Sequence, residues 1–240
     1  MTDSDRTVVL ICARDEWDVA LDVHGVSSSE EGPYPWFEKA LSVGDHKVTV
    51  VFVHSGAGKV PAAAATQYAI DCWHPLWMVN VGTCGGFKCA GVSEGEVILA
   101  TRTVIYDIKE LSGGQSEMEA RFTTDLSCGR LSPPFPSDAR AGILASADRD
   151  VCPVKTEKLH AKCGAVAADW ESGAVAHVAE TINSTDCLIL RTVSDVVGES
   201  SKIYGNTTAF EAQVRSVFPH LLRALPEWFA KLSEEHQHSE

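Results

Sequence analysis

The apolar run Leu76-Trp77-Met78-Val79-Asn80-Val81 stops abruptly at Gly82-Thr83-Cys84-Gly85-Gly86-Phe87, and this junction constrains the fold more than any other stretch of the chain. It has the form of a buried strand that delivers its backbone into a cavity. Glycines at 82, 85 and 86 are expected to take positive φ in a turn and to remove Cβ atoms that would block a ligand. Glycine-rich turns of this kind serve dinucleotides, phosphates and nucleosides alike, so the surrounding sequence must decide between them.

Around this junction, apolar runs alternate with helical patterns. Thr7 to Ala13 is β-branched and apolar, as a buried first strand requires. Further strand material runs from Trp36 to Leu41, Lys47 to His54, Gly95 to Tyr106, Ala141 to Ala147, Ala165 to Ala168 and Cys187 to Val193. Helical spacing follows at Arg14–Leu21, Val60–Trp73, Lys155–Lys162 and Glu171–Ala179. From Thr207 to Leu232 an amphipathic helix is expected, interrupted at Pro219 and Pro226, with residues 233–240 and the first six frayed. Residues 109–138 lack a clear period, which suits an active-site lid or a weakly ordered segment. No repeat or linker divides the 240 residues, so one α/β domain with a mixed or parallel sheet is expected.

Charge and composition exclude several classes. The formal net charge is 20 − 33 = −13 without any Lys/Arg cluster, which argues against binding nucleic-acid phosphates or an anionic membrane. No apolar run reaches the roughly 18 residues of a bilayer span, and the acidic N-terminus is unlike a signal peptide. The eight cysteines include no CxxC pair, and the histidines are scattered, so neither a zinc site nor any other metal or cofactor is expected. Cys12, Cys72 and Cys187 sit in apolar patterns as small hydrophobes, consistent with a reducing, cytoplasmic setting. Gly56-Ala57-Gly58-Lys59 lacks the spacing of a phosphate-binding GxxxxGK[ST] loop.

Three carboxylates then stand out. Glu16 opens a helix just past the first strand, Glu171 opens the small-residue helix after Ala165–Ala168, and Asp195 follows the strand Cys187–Val193. Open α/β sheets gather such strand ends at one rim. Taken alone, the position of Glu16 favours a plainer role, that of complementing the helix dipole. His177 suits a packed or surface position better than catalysis. Grouped at a rim, the three carboxylates suit cleavage of a glycosidic bond: one grips sugar hydroxyls, one serves the leaving base and one activates the nucleophile. Spacing alone also admits a carboxylate-bound metal.

Four ordered blocks narrow the choice: Ser55-Gly-Ala-Gly-Lys-Val60, Asn80-Val-Gly-Thr-Cys-Gly-Gly86, Asp169-Trp-Glu-Ser172 with Ala176-His-Val178, and Ser194-Asp195. In these the chain resembles the purine/uridine-type nucleoside phosphorylases, and within them the 5′-methylthioadenosine/S-adenosylhomocysteine nucleosidases, from Val8 to about Gly198. The resemblance implies a three-layer αβα fold with a mixed, partly barrel-like sheet, in a homodimer or larger assembly, acting on a nucleoside. It implies that Glu171 binds the ribose 2′- and 3′-hydroxyls, that Asp195 serves purine N7, and that Glu16 activates the hydrolytic water near Thr83. Cys84, Gly85, Asp169, Trp170, Ser194 and Val151 would complete the substrate site, and segment 109–138 would select the 5′ substituent.

The departures are informative. Phosphorylases carry an arginine just before the glycine stretch, where this chain has Asn80. This favours water over phosphate unless Arg14, Arg102 or Arg191 substitutes. Trp170 stands where the nucleosidases have methionine, and Asp150 where a purine-stacking aromatic is usual. A nucleosidase is the leading expectation, with a phosphorylase and a non-catalytic nucleoside-binding protein as alternatives.

Overall fold

The structure, a computed structural model, describes residues 7–197 and 206–237. Gly198 and the six N-terminal residues lie outside the described residues. Among the described residues, nine strands form one sheet in the order β2-β3-β1-β4-β8-β7-β5-β6, with β9 pairing both β4 and β5. The strands are β1 (Thr7–Ile11), β2 (Trp36–Val43), β3 (His46–His54), β4 (Trp77–Phe87), β5 (Val97–Ile105), β6 (Thr123–Asp125), β7 (Arg140–Ser146), β8 (Ala165–Asp169) and β9 (Asp186–Val197). Because β9 bridges β4 and β5, the strands β4, β8, β7, β5 and β9 close a ring, while β1, β3 and β2 extend from β4 as an open wing. Parallel pairs (β1/β3, β1/β4, β4/β9) and antiparallel ones (β4/β8, β5/β9) coexist. The sheet is therefore mixed and partly barrel-like.

Helices cover both faces. On one face, α1 (Arg14–His24) and α6 (Thr207–Gln237) bury Trp17, Phe218, Leu222, Trp228 and Phe229 against Val9, Phe52, Val79 and Leu188. On the other, α2 (Lys59–Trp73) and α5 (Ser172–Ala176) pack Ala62, Ala65, Ala69, Ala174 and Val175 against Val8, Leu10, Met78 and Ile189. The alternating side chains of the central strands feed both clusters, and so their sequences are apolar at nearly every position. Leu159 and Cys163 of α4 (Pro153–Cys163) pack against a third cluster around Phe87, Ala145 and Ala165, and α3 (Gln115–Arg121) leads into β6. No helix among the described residues is long and apolar enough to cross a membrane.

Several local expectations change. Segment 109–138 contains α3, then β6 paired antiparallel to β5, then short 3₁₀ turns. The pairing with β5, invisible to a periodicity reading, orders it. Helix α6 runs unbroken through Pro219 and Pro226 to Gln237. A proline inside a helix costs about 3 kcal/mol, but the stripe from Val214 to Leu232 is buried almost throughout, and that burial holds the helix together. Residues 233–237 are thus helical. Cys72 is exposed, unlike Cys12 and Cys187, and all eight cysteines are free thiols.

Phe218 is fully buried on the apolar stripe of α6. Phe218→Ala should lower the unfolding free energy by about 3–5 kcal/mol, measured as a fall in the denaturation midpoint.

Candidate active site

The glycine stretch is not a turn. β4 continues through it to Phe87, and Gly82, Gly85 and Gly86 show no positive φ. Glycine is needed there for close approach. A Cβ on Gly82 would lie 2.8 Å from Oε2 of Glu16, and one on Gly86 would lie 2.5 Å from Val92 and 2.8 Å from Val193. The positive φ values belong to the other glycine loop, Gly56 at 84° and Gly58 at 96°.

Asp195 also differs from expectation, because it lies within β9 and not beyond its end. The register between β4 and β9 slips after Cys84, so that Val193 faces Cys84 and Asp195 faces Gly85. Ser194 is the extra residue of this bulge, a device that re-aims side chains in a strand. Its hydroxyl lies 2.9 Å from Oδ1 of Asp195 and 3.2 Å from the Cys84 carbonyl oxygen.

These elements surround a cleft of about 490 Å³ lined by Glu16, Thr83, Cys84, Gly85, Val151, Asp169, Trp170, Glu171, Ser194 and Asp195. The structure thus brings the ten residues expected to form the substrate site to one place. Ala13, Ala57, Arg149, Asp150, Ala168, Val197, Asn206, Thr207 and Phe210 line it as well. Ala57 and Asp150 stand in stretches the sequence already marked. Phe210, by contrast, looks like one more apolar helix position, and nothing in the sequence separates it from its neighbours. No residue of segment 109–138 lines the cleft of a single chain.

Glu16 is 4% exposed. The Thr83 amide (2.5 Å) and hydroxyl (2.8 Å) donate to its Oε1, and the Ala13 amide lies 3.4 Å from Oε2. Glu171 accepts from the Gly58 amide at 2.9 Å. Burial raises the pKa of Glu16 despite opposition from Arg191 and Thr83. Burial, with Asp169 second, pushes Glu171 up to about 7. Burial likewise raises Asp195, with Glu94 and Asp150 adding repulsion. The two carboxylates Glu16 and Glu171 also raise each other's neighbour Cys12, whose burial is the larger cause.

Asp169 faces inward. Its Oδ1 accepts from the Ser146 hydroxyl (2.6 Å) and the Ser172 amide (3.2 Å), and its Oδ2 accepts from the Ser172 hydroxyl and from Nε of Arg191 (2.7 Å). Nη2 of Arg191 donates to Oδ1 of Asn80 at 2.5 Å, and the Asn80 amide donates to the Leu10 carbonyl at 2.9 Å. Arg191 is 1% exposed and is not on the cleft lining. Of the other arginines weighed as anion partners, Arg14 pairs with Asp18 and Arg102 with Asp125, and neither is on the cleft lining. Among the described residues, Arg149 is the cation that lines it. No group of His, Cys, Asp and Glu among the described residues suits a metal ion. His177 packs against Phe122 with ring centroids 5.3 Å apart, outside the cleft.

The family model of the phosphorylase superfamily matches residues 9–225. A 5′-methylthioadenosine/S-adenosylhomocysteine nucleosidase of Oceanobacillus iheyensis is 27% identical over 172 residues, which cover 66% of this chain and 73% of that protein. The nucleosidase of the same name from Bacillus subtilis is 25% identical over 189 residues, or 73% and 81% of the two chains. Among solved structures, the 5′-methylthioadenosine nucleosidase of Arabidopsis thaliana has a TM-score of 0.75 at 22% identity, over 94% of each chain. Futalosine hydrolase of Helicobacter pylori has a TM-score of 0.72 at 17% identity, over 96% of this chain and 98% of its own. Both share the fold.

Two outcomes follow from the geometry. Gly82→Ala places a methyl group against the Glu16 carboxylate, so activity should fall at least about 100-fold while circular dichroism stays native. Glu171 binds its proton more tightly folded than unfolded, so it contributes stability below its unfolded pKa that is lost as pH rises through about 7. Glu171→Gln removes the cost of burying that charge. Its melting temperature should therefore gain on the wild type between pH 5 and pH 8, in paired thermal scans.

Proposed function

We propose, since the chain belongs to the phosphorylase superfamily, that it hydrolyses the N-glycosidic bond of a purine nucleoside. The observation that supports this reading most is the Glu16–Thr83 contact at the cleft: a buried carboxylate pinned by two donors, with the nearby guanidinium of Arg191 bonded to Asp169 and Asn80. Such a carboxylate suits a neutral nucleophile. A phosphate dianion beside it would meet like charge.

In this mechanism Glu171 accepts hydrogen bonds from the ribose 2′- and 3′-hydroxyls. As the C1′–N9 bond lengthens, positive charge grows on the sugar, and the carboxylates of Glu16 and Glu171 stabilise it. Asp195, whose raised pKa favours its protonated form, donates its proton to purine N7, and the base leaves with the bonding electron pair. Water forms the C1′–O bond and passes a proton to Glu16, which a raised pKa makes the stronger base. Phe210 and Val151 offer apolar surface to the base or the 5′ group. The names of the nucleosidase relatives favour a 5′-thioether nucleoside as substrate.

A second reading, phosphorolysis to ribose 1-phosphate, draws on Arg149 as a cation lining the cleft. A nucleoside panel assayed for base release in phosphate-free buffer separates the two. Hydrolysis predicts undiminished turnover there, whereas a strict phosphate requirement sinks it. Asp195→Asn should lower kcat by about 10²–10⁴-fold. Release of no base from any nucleoside by the wild type would favour a binding protein instead.

A further inference from the structure

We propose that Lys59, Asp107 and Asp148 form a clamp that fixes the Gly58 amide on the Glu171 carboxylate, which makes them positioning residues for the sugar site. The inference rests on the reading of Glu171 as the ribose-binding carboxylate.

The Ser55–Lys59 loop that supplies the Gly58 amide is weakly determined by its own sequence. With Gly56 and Gly58 both at positive φ, its unfolded alternatives are numerous. Yet the amide it presents to Glu171 must hold its place to within a few tenths of an ångström to remain a hydrogen bond. The loop is restrained from the far side. Nζ of Lys59 bonds to Oδ1 of Asp107 and lies 3.6 Å from Oδ2 of Asp148. The Lys59 backbone amide donates to Oδ1 of Asp148 at 2.8 Å, and the Asp148 amide donates to Oδ2 of Asp107 at 3.1 Å. The Lys59 side chain is only 17% exposed and that of Asp107 18%, an unusual degree of burial for these residue types.

Two successive amides at the start of α2 therefore each hold a carboxylate, Gly58 that of Glu171 and Lys59 that of Asp148. Gly58 is fitted to this arrangement, since a Cβ there would lie 3.3 Å from Oδ1 of Asp148. The clamp ties the loop after β3 to the chain after β5 and after β7. The last of these leads directly to Arg149, Asp150 and Val151 on the cleft wall. None of the three clamp residues lines the cleft itself.

A merely structural ion-pair cluster would stabilise the fold without acting on Glu171, and the two roles predict opposite signs. The groups that act on Glu171 from the packed elements are Asp169, Arg191, Glu16 and the Gly58 amide, which lowers its pKa; Cys12 lies among them. Asp148→Ala and Asp107→Asn each remove a negative charge. Acting through space alone, either change would make Glu171 a stronger acid. If the clamp holds the Gly58 amide, either change loosens that hydrogen bond and makes Glu171 weaker.

The test is carboxyl ¹³C NMR of the ligand-free full chain labelled at glutamate, with the Glu171 signal assigned by its disappearance in Glu171→Gln. In the wild type it should titrate at about 7. In Asp148→Ala and in Asp107→Asn it should titrate higher, as an acid about tenfold weaker, and the acid limb of kcat/KM should move with it. A Glu171 titration that stays put or moves down in a folded variant overturns the clamp. Should Asp148→Ala fail to fold, Asp107→Asn, which keeps the shape of the side chain, decides alone. The NMR readout needs no turnover. An inactive wild type would therefore overturn the proposed function and leave the clamp to stand or fall separately.

Discussion

The contact between Arg191 and Asp169 is the constraint on which the rest of the site depends. A guanidinium 1% exposed is tolerable only with its donors satisfied, and here Asp169, Asn80 and the Leu190 carbonyl satisfy them from β8, β4 and β9 itself. Removing one partner of such a buried pair typically costs about 3–5 kcal/mol. The contact also joins strands that are not neighbours, since β8 and β9 flank β4 on opposite sides. Asp169 then holds Ser146 and Ser172, and Ser172 begins α5, which sets Glu171 at its place. A chain of hydrogen bonds thus runs from the middle of the closed ring to the cleft.

The same cation governs the electrostatics. Glu16, Glu171 and Asp169 are all buried, and the guanidinium of Arg191 is a positive group that opposes the upward shift of both Glu16 and Glu171. One cation does not offset the burial of three carboxylates, so Glu16 and Glu171 bind protons more readily than they would in water. That imbalance is costly for stability and useful for chemistry, because a carboxylate that binds its proton more readily is a stronger base. Burial raises Asp195 as well. It stands on a bulge, less buried, with Glu94 and Asp150 as repulsive neighbours.

Much of this was legible in the sequence, for physical reasons that can be named. The alternation of β-branched runs with alanine-rich helical patterns required a sheet covered on both faces, and the strand ends marked Glu16 and Glu171. The glycines of β4 were misjudged in conformation because glycine meets two needs, positive φ and absence of Cβ, that look identical in a sequence. Only the structure shows that Gly82 makes room for the Glu16 carboxylate. Asp195 was located correctly along the chain but not in its strand, since a one-residue bulge leaves no pattern. Arg191 did leave a signal: an arginine inside Cys187-Leu-Ile-Leu-Arg-Thr-Val193 must either find buried partners or break the strand. The closure of the ring through β9, the place of Phe210 and the continuity of α6 depend on contacts between distant segments, which local periodicity does not carry.

In the proposed hydrolysis the nucleophile at Glu16 and Thr83 is water, because Arg191, the buried cation, is bonded to Asp169 and Asn80. Time-resolved ¹H and ³¹P NMR of the sugar product, with a purine nucleoside as substrate and inorganic phosphate present in excess, tests it directly. Hydrolysis predicts that free sugar is the first and sole sugar product. Ribose 1-phosphate appearing ahead of free sugar would contradict it.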